Sequence, residues 1–221
     1  MQLDSFEVVV VGAGFFGAVI AEQAASRLGR SVCVLDRRPH IGGNAYSEVD
    51  SDSGVEVHRY GTHIFHTNSE TVWRYMQRFT YFTDYRHRVF TVANGRVYSM
   101  PINLATVCAA FGRIMSPDEA RAVIAAEAAA HGAGGIGNLE DKAIASVGRT
   151  LYDLLIRGYT QKQWQTDPRE LSADIIGRLP VRFSFDDRYF ADRYEGMPVD
   201  GYTAIFQRML EHPKIAVELG V

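Results

Sequence analysis

Cysteine is nearly absent. Cys33 and Cys108 are the only two thiols in 221 residues, which excludes a disulfide framework. Cys33 falls inside an apolar run where a small side chain fits, and a reducing, cytoplasmic setting is the expectation. Long apolar runs are also missing. None reaches the ~18–20 residues of a membrane span, so no membrane span is expected. The stretch Val8 to Ala21 resembles a signal core, but Asp4 and Glu7 precede it where a signal peptide carries Lys or Arg. Positive charge is not in excess either: 23 basic against 26 acidic residues leave a net charge of −3 with no long basic run. Nucleic acid and anionic membrane are therefore poor default partners. Apart from one glycine-rich loop at 131–137, repeats and low-complexity tracts are lacking. What remains is 47% hydrophobic and 22% charged, an ordinary globular composition with room for one large or two small domains.

The informative stretch is Glu7 to Gly17. Four valines, Val8 to Val11, read as a strand buried on both faces, and Gly12, Gly14 and Gly17 follow at G-x-G-x-x-G spacing. Ala18 to Leu28 then reads as a helix, and Ser31 to Leu35 as a second strand ending in Asp36, nineteen residues after Gly17. Strand, glycine turn, helix, strand and acid in this order form a dinucleotide-binding unit. Gly12 permits the tight turn, Gly14 the approach of a pyrophosphate, and Gly17 close packing of helix on strand. The helix N-terminus offers unpaired N–H groups to phosphate, and Asp36 stands where a ribose hydroxyl is met. Gly42-Gly43-Asn44 is either a second approach to a diphosphate, as in FAD sites, or a plain surface turn.

Further on, Val55 to Tyr60 alternates like a strand. His63 and His66 have too few partners of suitable spacing for zinc, so no metal is expected, and Gly61 suits a loop lying against a flat cofactor. A helix is expected over 70–79, then a hairpin over 88–100 turning at Asn94-Gly95. Asn103 caps a helix to Phe111, and Ser116-Pro117-Asp118-Glu119 is a capping box opening a helix to Ala130. Asn138 caps a helix that Gly148 breaks, and Thr150 to Arg157 resumes it. Gly158 to Trp164 follows the helices as a polar segment with two aromatics. Tyr159 and Trp164 are either core anchors or exposed rings beside Arg and Tyr, the equipment of a nucleoside-diphosphate sugar site. A short helix to Leu210 and a strand at 214–219 close the chain.

His-Ile-Gly-Gly-Asn-Ala-Tyr (40–46), Tyr-Gly-Thr-His-Ile-Phe-His-Thr (60–67), Gly-Tyr-Thr-Gln-Lys-Gln-Trp (158–164), Arg-Leu-Pro-Val-Arg-Phe (178–183) and Tyr-Glu-Gly-Met-Pro-Val-Asp-Gly-Tyr-Thr (194–203) resemble the bacterial UDP-galactopyranose mutases. The resemblance runs from the first strand to the last residue. It implies an α/β fold: a Rossmann-like FAD-binding domain (1–85 with 205–221), an inserted helical domain (103–165) and part of an antiparallel sheet domain (86–102 with 166–204). It implies interconversion of UDP-galactopyranose and UDP-galactofuranose through a covalent adduct of reduced flavin N5 with the galactose anomeric carbon. NAD(P)H or another reductant for the flavin and a homodimer are further expected partners.

By the same resemblance, Gly12, Gly14, Phe16 and Gly17 hold the FAD diphosphate region, Asp36 and Arg37 the adenosine side, and Gly43 and Asn44 continue that contact. His63 and Ile64 lie against the isoalloxazine, with His63 near N5. Tyr159, Thr160 and Trp164 bind the uridine end, Arg178 lies near galactose and flavin, and Tyr189 contacts the diphosphate. His63 and Arg178 are the expected catalytic pair. Two positions depart from the family: His87 stands where others carry Asn, and Leu155 where relatives often place Phe against uracil. Family members are nearly twice as long, so the chain is expected to be a fragment or a truncated form. An FAD oxidoreductase of the amine-oxidase type and an inactive nucleotide-binding remnant are the rival readings.

Overall fold

A computed structural model describes residues 3–131, 135–176 and 181–221. In chain order, its elements are β1 (Val8–Val11), α1 (Phe15–Ser26), β2 (Val32–Asp36), β3 (Ser47–Val49), β4 (Glu56–His58), β5 (Phe65–Thr67) and α2 (Glu70–Met76). Then come β6 (Val89–Ala93), β7 (Arg96–Met100), α3 (Leu104–Phe111), α4 (Pro117–Ala130), α5 (Leu139–Val147), α6 (Arg149–Leu151) and α7 (Arg157–Trp164). The last are β8 (Tyr194–Gly196), α8 (Gly201–Leu210) and β9 (Ile215–Leu219). The chain divides into two compact units, one of residues 1–86 with 192–221 and one of residues 87–191.

The first unit is built on a parallel sheet in the order β1-β2-β9, with Val8 opposite Val32 and Val32 opposite Ile215. Parallel strands need a crossover, and α1 and α8 supply it. Both helices turn apolar faces to the sheet. Ala18, Ala21, Ala24 and Ala25 of α1 pack with Tyr202, Ile205, Phe206 and Met209 of α8 around Val10, Val32 and Val34. α1 opens at Phe15, three residues before the apolar stripe predicts. The spacing of buried alanines marks where burial begins, whereas the helical backbone already includes Gly17. A Cβ on Gly17 would stand 1.8 Å from the carbonyl oxygen of Gly12, so the first turn of the helix lies directly on the glycine turn.

One buried charge joins α1 to α2. Glu22 is engaged by Tyr75 Oη at 2.7 Å, by Arg78 at 2.9 Å and by Ser26 Oγ at 2.9 Å. Burial and this carboxylate together push the Tyr75 hydroxyl up to about 12.

The antiparallel pair β3–β4 sets Ser47 opposite His58 and frames the start of α8. Ser47 Oγ accepts the N–H groups of Tyr202 at 2.8 Å and Thr203 at 3.3 Å, while Thr203 Oγ1 donates to the Ser47 carbonyl at 2.6 Å. A serine from a neighbouring strand thus satisfies helix donors that a local cap ordinarily serves. Gly201 sits at φ +74°, and a Cβ there would fall 1.8 Å from Glu56 Oε1.

The second unit contains the β6–β7 hairpin, turning through Asn94 (φ 49°) and Gly95 (φ 72°), with Val92 opposite Val97. Asn103 caps α3 through Thr106 N, Ser116 and Glu119 form the reciprocal capping box of α4, and Asn138 caps α5. These match the sequence expectations, because each rests on a local hydrogen bond that the residue types specify. The glycine-rich stretch expected as a loop at 131–137 lies partly outside the described residues.

After Gly148 the expectation fails in one respect. The helix does not stop at Arg157. It passes from α6 through a π-helical turn, Tyr152–Ile156, directly into α7 and ends at Trp164, with Gln165 left-handed at φ 52°. Gly158 and the polar run after it weaken intrinsic helix propensity by about 1 kcal/mol at the glycine. Packing of the face that carries Leu155, Ile156 and Thr160 overrides this: Leu155 and Ile156 join the core of the unit, and Thr160 is buried.

Gly201→Ala should destabilise the first unit by about 2 kcal/mol or more, combining left-handed strain with collision against Glu56. Urea unfolding followed by circular dichroism measures it. The double variant Gly201→Ala/Glu56→Ala should recover the collision part and keep only the strain.

Candidate functional site

Two cavities, one in each unit, gather most of the residues singled out by sequence. The first has a volume of about 600 Å³ and is lined by Gly12, Gly14, Asp36, Arg37, Gly43 and Asn44, with Arg38 beside them. Two glycine segments meet here. Gly42 N donates to Ala13 O at 2.8 Å, and a Cβ on Gly43 would stand 3.1 Å from Gly14 Cα. With Gly12 at φ +104° and Gly43 at φ +57°, the backbone itself forms the cavity wall. The first N–H groups of α1 open at this wall, a helix terminus suited to an anion.

The Asp36 carboxylate ties the wall to the sheet. Its Oδ2 accepts Ala13 N–H at 2.7 Å and its Oδ1 accepts Arg38 N–H at 2.9 Å. Burial raises its pKa, but those two N–H groups and the Arg38 guanidinium outweigh burial and hold it below the usual 3.8. A carboxylate has about four lone-pair sites, so two remain for ligand hydroxyls. Arg38 was not singled out by sequence. Its side chain donates to Asn44 Oδ1 at 2.8 Å and lies over the Tyr60 ring at 4.5 Å. The signal available was its position two residues after a strand-ending aspartate, where an Asx turn captures the N–H.

Not every expected cofactor residue lines this cavity. Gly17 is buried beneath the turn, and Phe16 is 84% exposed on the first turn of α1. His63 and Ile64 lie elsewhere in the same unit, just before β5, in the loop that follows β4. His63 Nδ1 lies 2.9 Å from Gly61 O, a contact in which Nδ1 is the donor. His63 N–H donates to His58 Nδ1 at 3.0 Å, and Tyr202 stands edge-on to both rings. His66, from the same motif, pairs instead with Asp192 at 2.8 Å.

The second cavity, about 460 Å³, lies in the second unit and brings together Leu155, Tyr159, Thr160, Trp164 and Tyr189. Leu155, Tyr159 and Gln163 form one row at i, i+4, i+8. Ile156, Thr160 and Trp164 form the adjacent row, so one continuous helical face makes the floor. Tyr159 is 67% exposed and Trp164 48% exposed, so neither ring is a core anchor. Gln163 was missed by sequence and would follow from Tyr159 once the segment is known to be helical.

Tyr189 is held through its backbone. Its N–H donates to His87 O at 2.7 Å and its carbonyl accepts Arg182 Nη2 at 3.0 Å, while the His87 ring stands edge-on at 5.5 Å. The bidentate pair Arg188–Asp186 and the Arg88 Nε–H shared between both oxygens of Asp187 stiffen the same segment, and Arg188 holds the Asp186 carboxyl down at about 2. Arg178, expected near the sugar, lies outside the described residues.

Comparison with known proteins finds relatives along the whole chain. Residues 10–79 match the family model of the NAD(P)-binding Rossmann-like domain, and residues 154–221 match that of UDP-galactopyranose mutase. The chain is 44% identical over 98% of its length to a probable UDP-galactopyranose mutase of Klebsiella pneumoniae. It is 42% identical over 97% of its length to a dTDP-fucopyranose mutase of Escherichia coli, and covers 56% of each relative. A crystal structure of reduced UDP-galactopyranose mutase superimposes with a TM-score of 0.67 over 97% of this chain and 49% of that one, at 18% identity, which speaks for the fold. The chain spans about half the length of the curated relatives it matches. Fold, motifs and relatives agree: the chain belongs to the UDP-galactopyranose mutase family.

Proposed function

We propose that the chain is the FAD-binding and uridine-binding half of an enzyme that isomerises UDP-galactopyranose to UDP-galactofuranose. The observation that carries this reading is the pairing of a glycine-walled anion cavity in one unit with an aromatic-floored cavity in the other. The first fits the pyrophosphate and adenosine of FAD. Side chains are absent where Gly12, Gly14 and Gly43 line it, and Asp36 retains acceptor capacity for a ribose. FAD in its reduced form supplies a nucleophilic N5 for the anomeric carbon of the sugar.

The chain's own residues bind and orient. Gly12, Gly14 and the start of α1 neutralise the cofactor diphosphate. Asp36, Arg37, Gly43 and Asn44 hold its adenosine side. His63 and Ile64 lie against the flavin, Ile64 supplying apolar contact. Tyr159 and Trp164 offer faces to the pyrimidine, Thr160 and Leu155 close the floor beneath it, and Tyr189 and His87 face the diphosphate and sugar. Arg178 is assigned to the sugar on its motif alone.

The relative from Escherichia coli favours a second substrate. Its identity to this chain nearly equals that of the Klebsiella relative, and its name specifies dTDP-fucopyranose. Leu155 and Ile176 make an apolar wall that accepts a thymine methyl as readily as uracil.

Supplied with FAD and dithionite, protein carrying this chain should convert UDP-galactofuranose to UDP-galactopyranose, with dTDP-fucofuranose as the competing substrate in the same chromatographic assay. No turnover of either overturns the mutase reading. Tyr159→Ala should weaken UDP binding about tenfold, on the scale of ~1–3 kcal/mol for loss of one base-stacking ring, as measured by calorimetry. Asp36→Asn should flatten the acid limb of stability. The native carboxylate has a folded pKa below 3.8, so its contribution is present above about pH 4 and is lost as pH falls through the folded value. Urea midpoints between pH 6 and pH 2 check this.

A further inference from the structure

The loop between β4 and β5 carries His63, and its backbone needs anchoring because it runs outside regular structure. One anchor is a side chain. His63 N–H donates to Nδ1 of His58, the last residue of β4, at 3.0 Å. A ring nitrogen accepts a hydrogen bond only when it carries no proton, so this bond requires a neutral imidazole with its proton on Nε2. His58 itself is well founded. It pairs across the ladder with Ser47, which caps α8, and Tyr202 of α8 stands edge-on to it at 5.4 Å.

We infer that neutral His58 is a positioning residue that holds the Gly61–Ile64 loop, and with it the His63 ring, and that protonation of His58 releases them. This rests on the reading that the loop lies against the flavin.

The groups that face His58 are Glu56 of its own strand, His63 of the loop, Tyr202 of α8 and Ser47 of β3. Burial and then the charge of His63 pull its pKa below the ordinary 6.5, against a smaller opposing pull from Glu56. The acceptor form is therefore the resident one at neutral pH. As pH falls below 6.5 the unfolded chain takes the proton first, so stability declines from there and levels once the folded ring is protonated. A loss of loop order is expected over the lower part of that range.

The test is nuclear magnetic resonance of the labelled chain between pH 8 and pH 5, with His58→Asn and His58→Phe beside the native protein. The Asn side-chain oxygen can replace Nδ1 as an acceptor and does not titrate. In the native protein, long-range spectra should show an unprotonated Nδ1 at pH 7.5. Protection of the His63 amide, relative to an unstructured amide at the same pH, should fall tenfold or more with the midpoint of His58. His58→Asn should keep protection at every pH, and His58→Phe should lack it at every pH. A proton on Nδ1 at pH 7.5, or native protection in His58→Phe, overturns the inference. If His58→Phe does not fold, the native titration decides alone: protection that does not follow His58 overturns it. In FAD-loaded protein, His58→Phe should shift the flavin absorption bands while His58→Asn should not. Amide protection that responds as expected with flavin bands that do not respond leaves the anchor standing and removes the flavin from the loop.

Discussion

The first unit depends on how closely backbone can approach backbone at the turn between β1 and α1. Gly12 O occupies the space that a side chain at position 17 would need, and Gly14 and Gly43 approach each other with no side chain between them. Such contacts cannot be made by any other residue type, and they determine where α1 begins, how it lies on the sheet and what shape of cavity remains. The Asp36 carboxylate completes the arrangement by accepting the N–H of Ala13, which ties the end of β2 to the turn after β1. A carboxylate that braces the cavity wall while facing a ligand is a sounder binding group than a free one. Its position is already fixed, and no side-chain entropy of about 1 kcal/mol or more is lost on binding.

Much of this was legible in the chain because it is local. The G-x-G-x-x-G spacing, the Asn94-Gly95 turn and the caps at Asn103, Ser116 and Asn138 each rest on interactions within a few residues, or on a glycine that has no substitute. What sequence could not reveal is long-range. Ser47 caps a helix that begins more than 150 residues later, and Glu56 fills the space beside Gly201. No periodicity announces such pairs. Arg38 was hidden for a different reason. It belongs to the site through its backbone N–H and through stacking on Tyr60, neither of which its residue type specifies.

The extent of α7 shows tertiary context deciding against local preference. Gly158 and a run of polar residues argue for a loop, and the identity of Tyr159 and Trp164 leaves core and surface equally open. Helical continuation answers both. It buries Thr160 with Leu155 and Ile156, and it turns Tyr159 and Trp164 outward along one face.

The π-helical turn at Tyr152–Ile156 gives that face its index. A π turn amounts to one residue more than an α-helix would use over the same length, and such insertions recur at functional sites. Each residue of an α-helix advances it by about 100°. Removing the extra residue would therefore rotate α7 by roughly that angle, carrying Thr160 out of its buried place and swinging Tyr159 and Trp164 off the cavity. The turn acts as a frameshift written in three dimensions: it leaves the composition of the segment intact and changes only which side chains are read. A chain that kept every motif residue and lost that single insertion would retain the sequence signature of its family and forfeit the surface the signature describes.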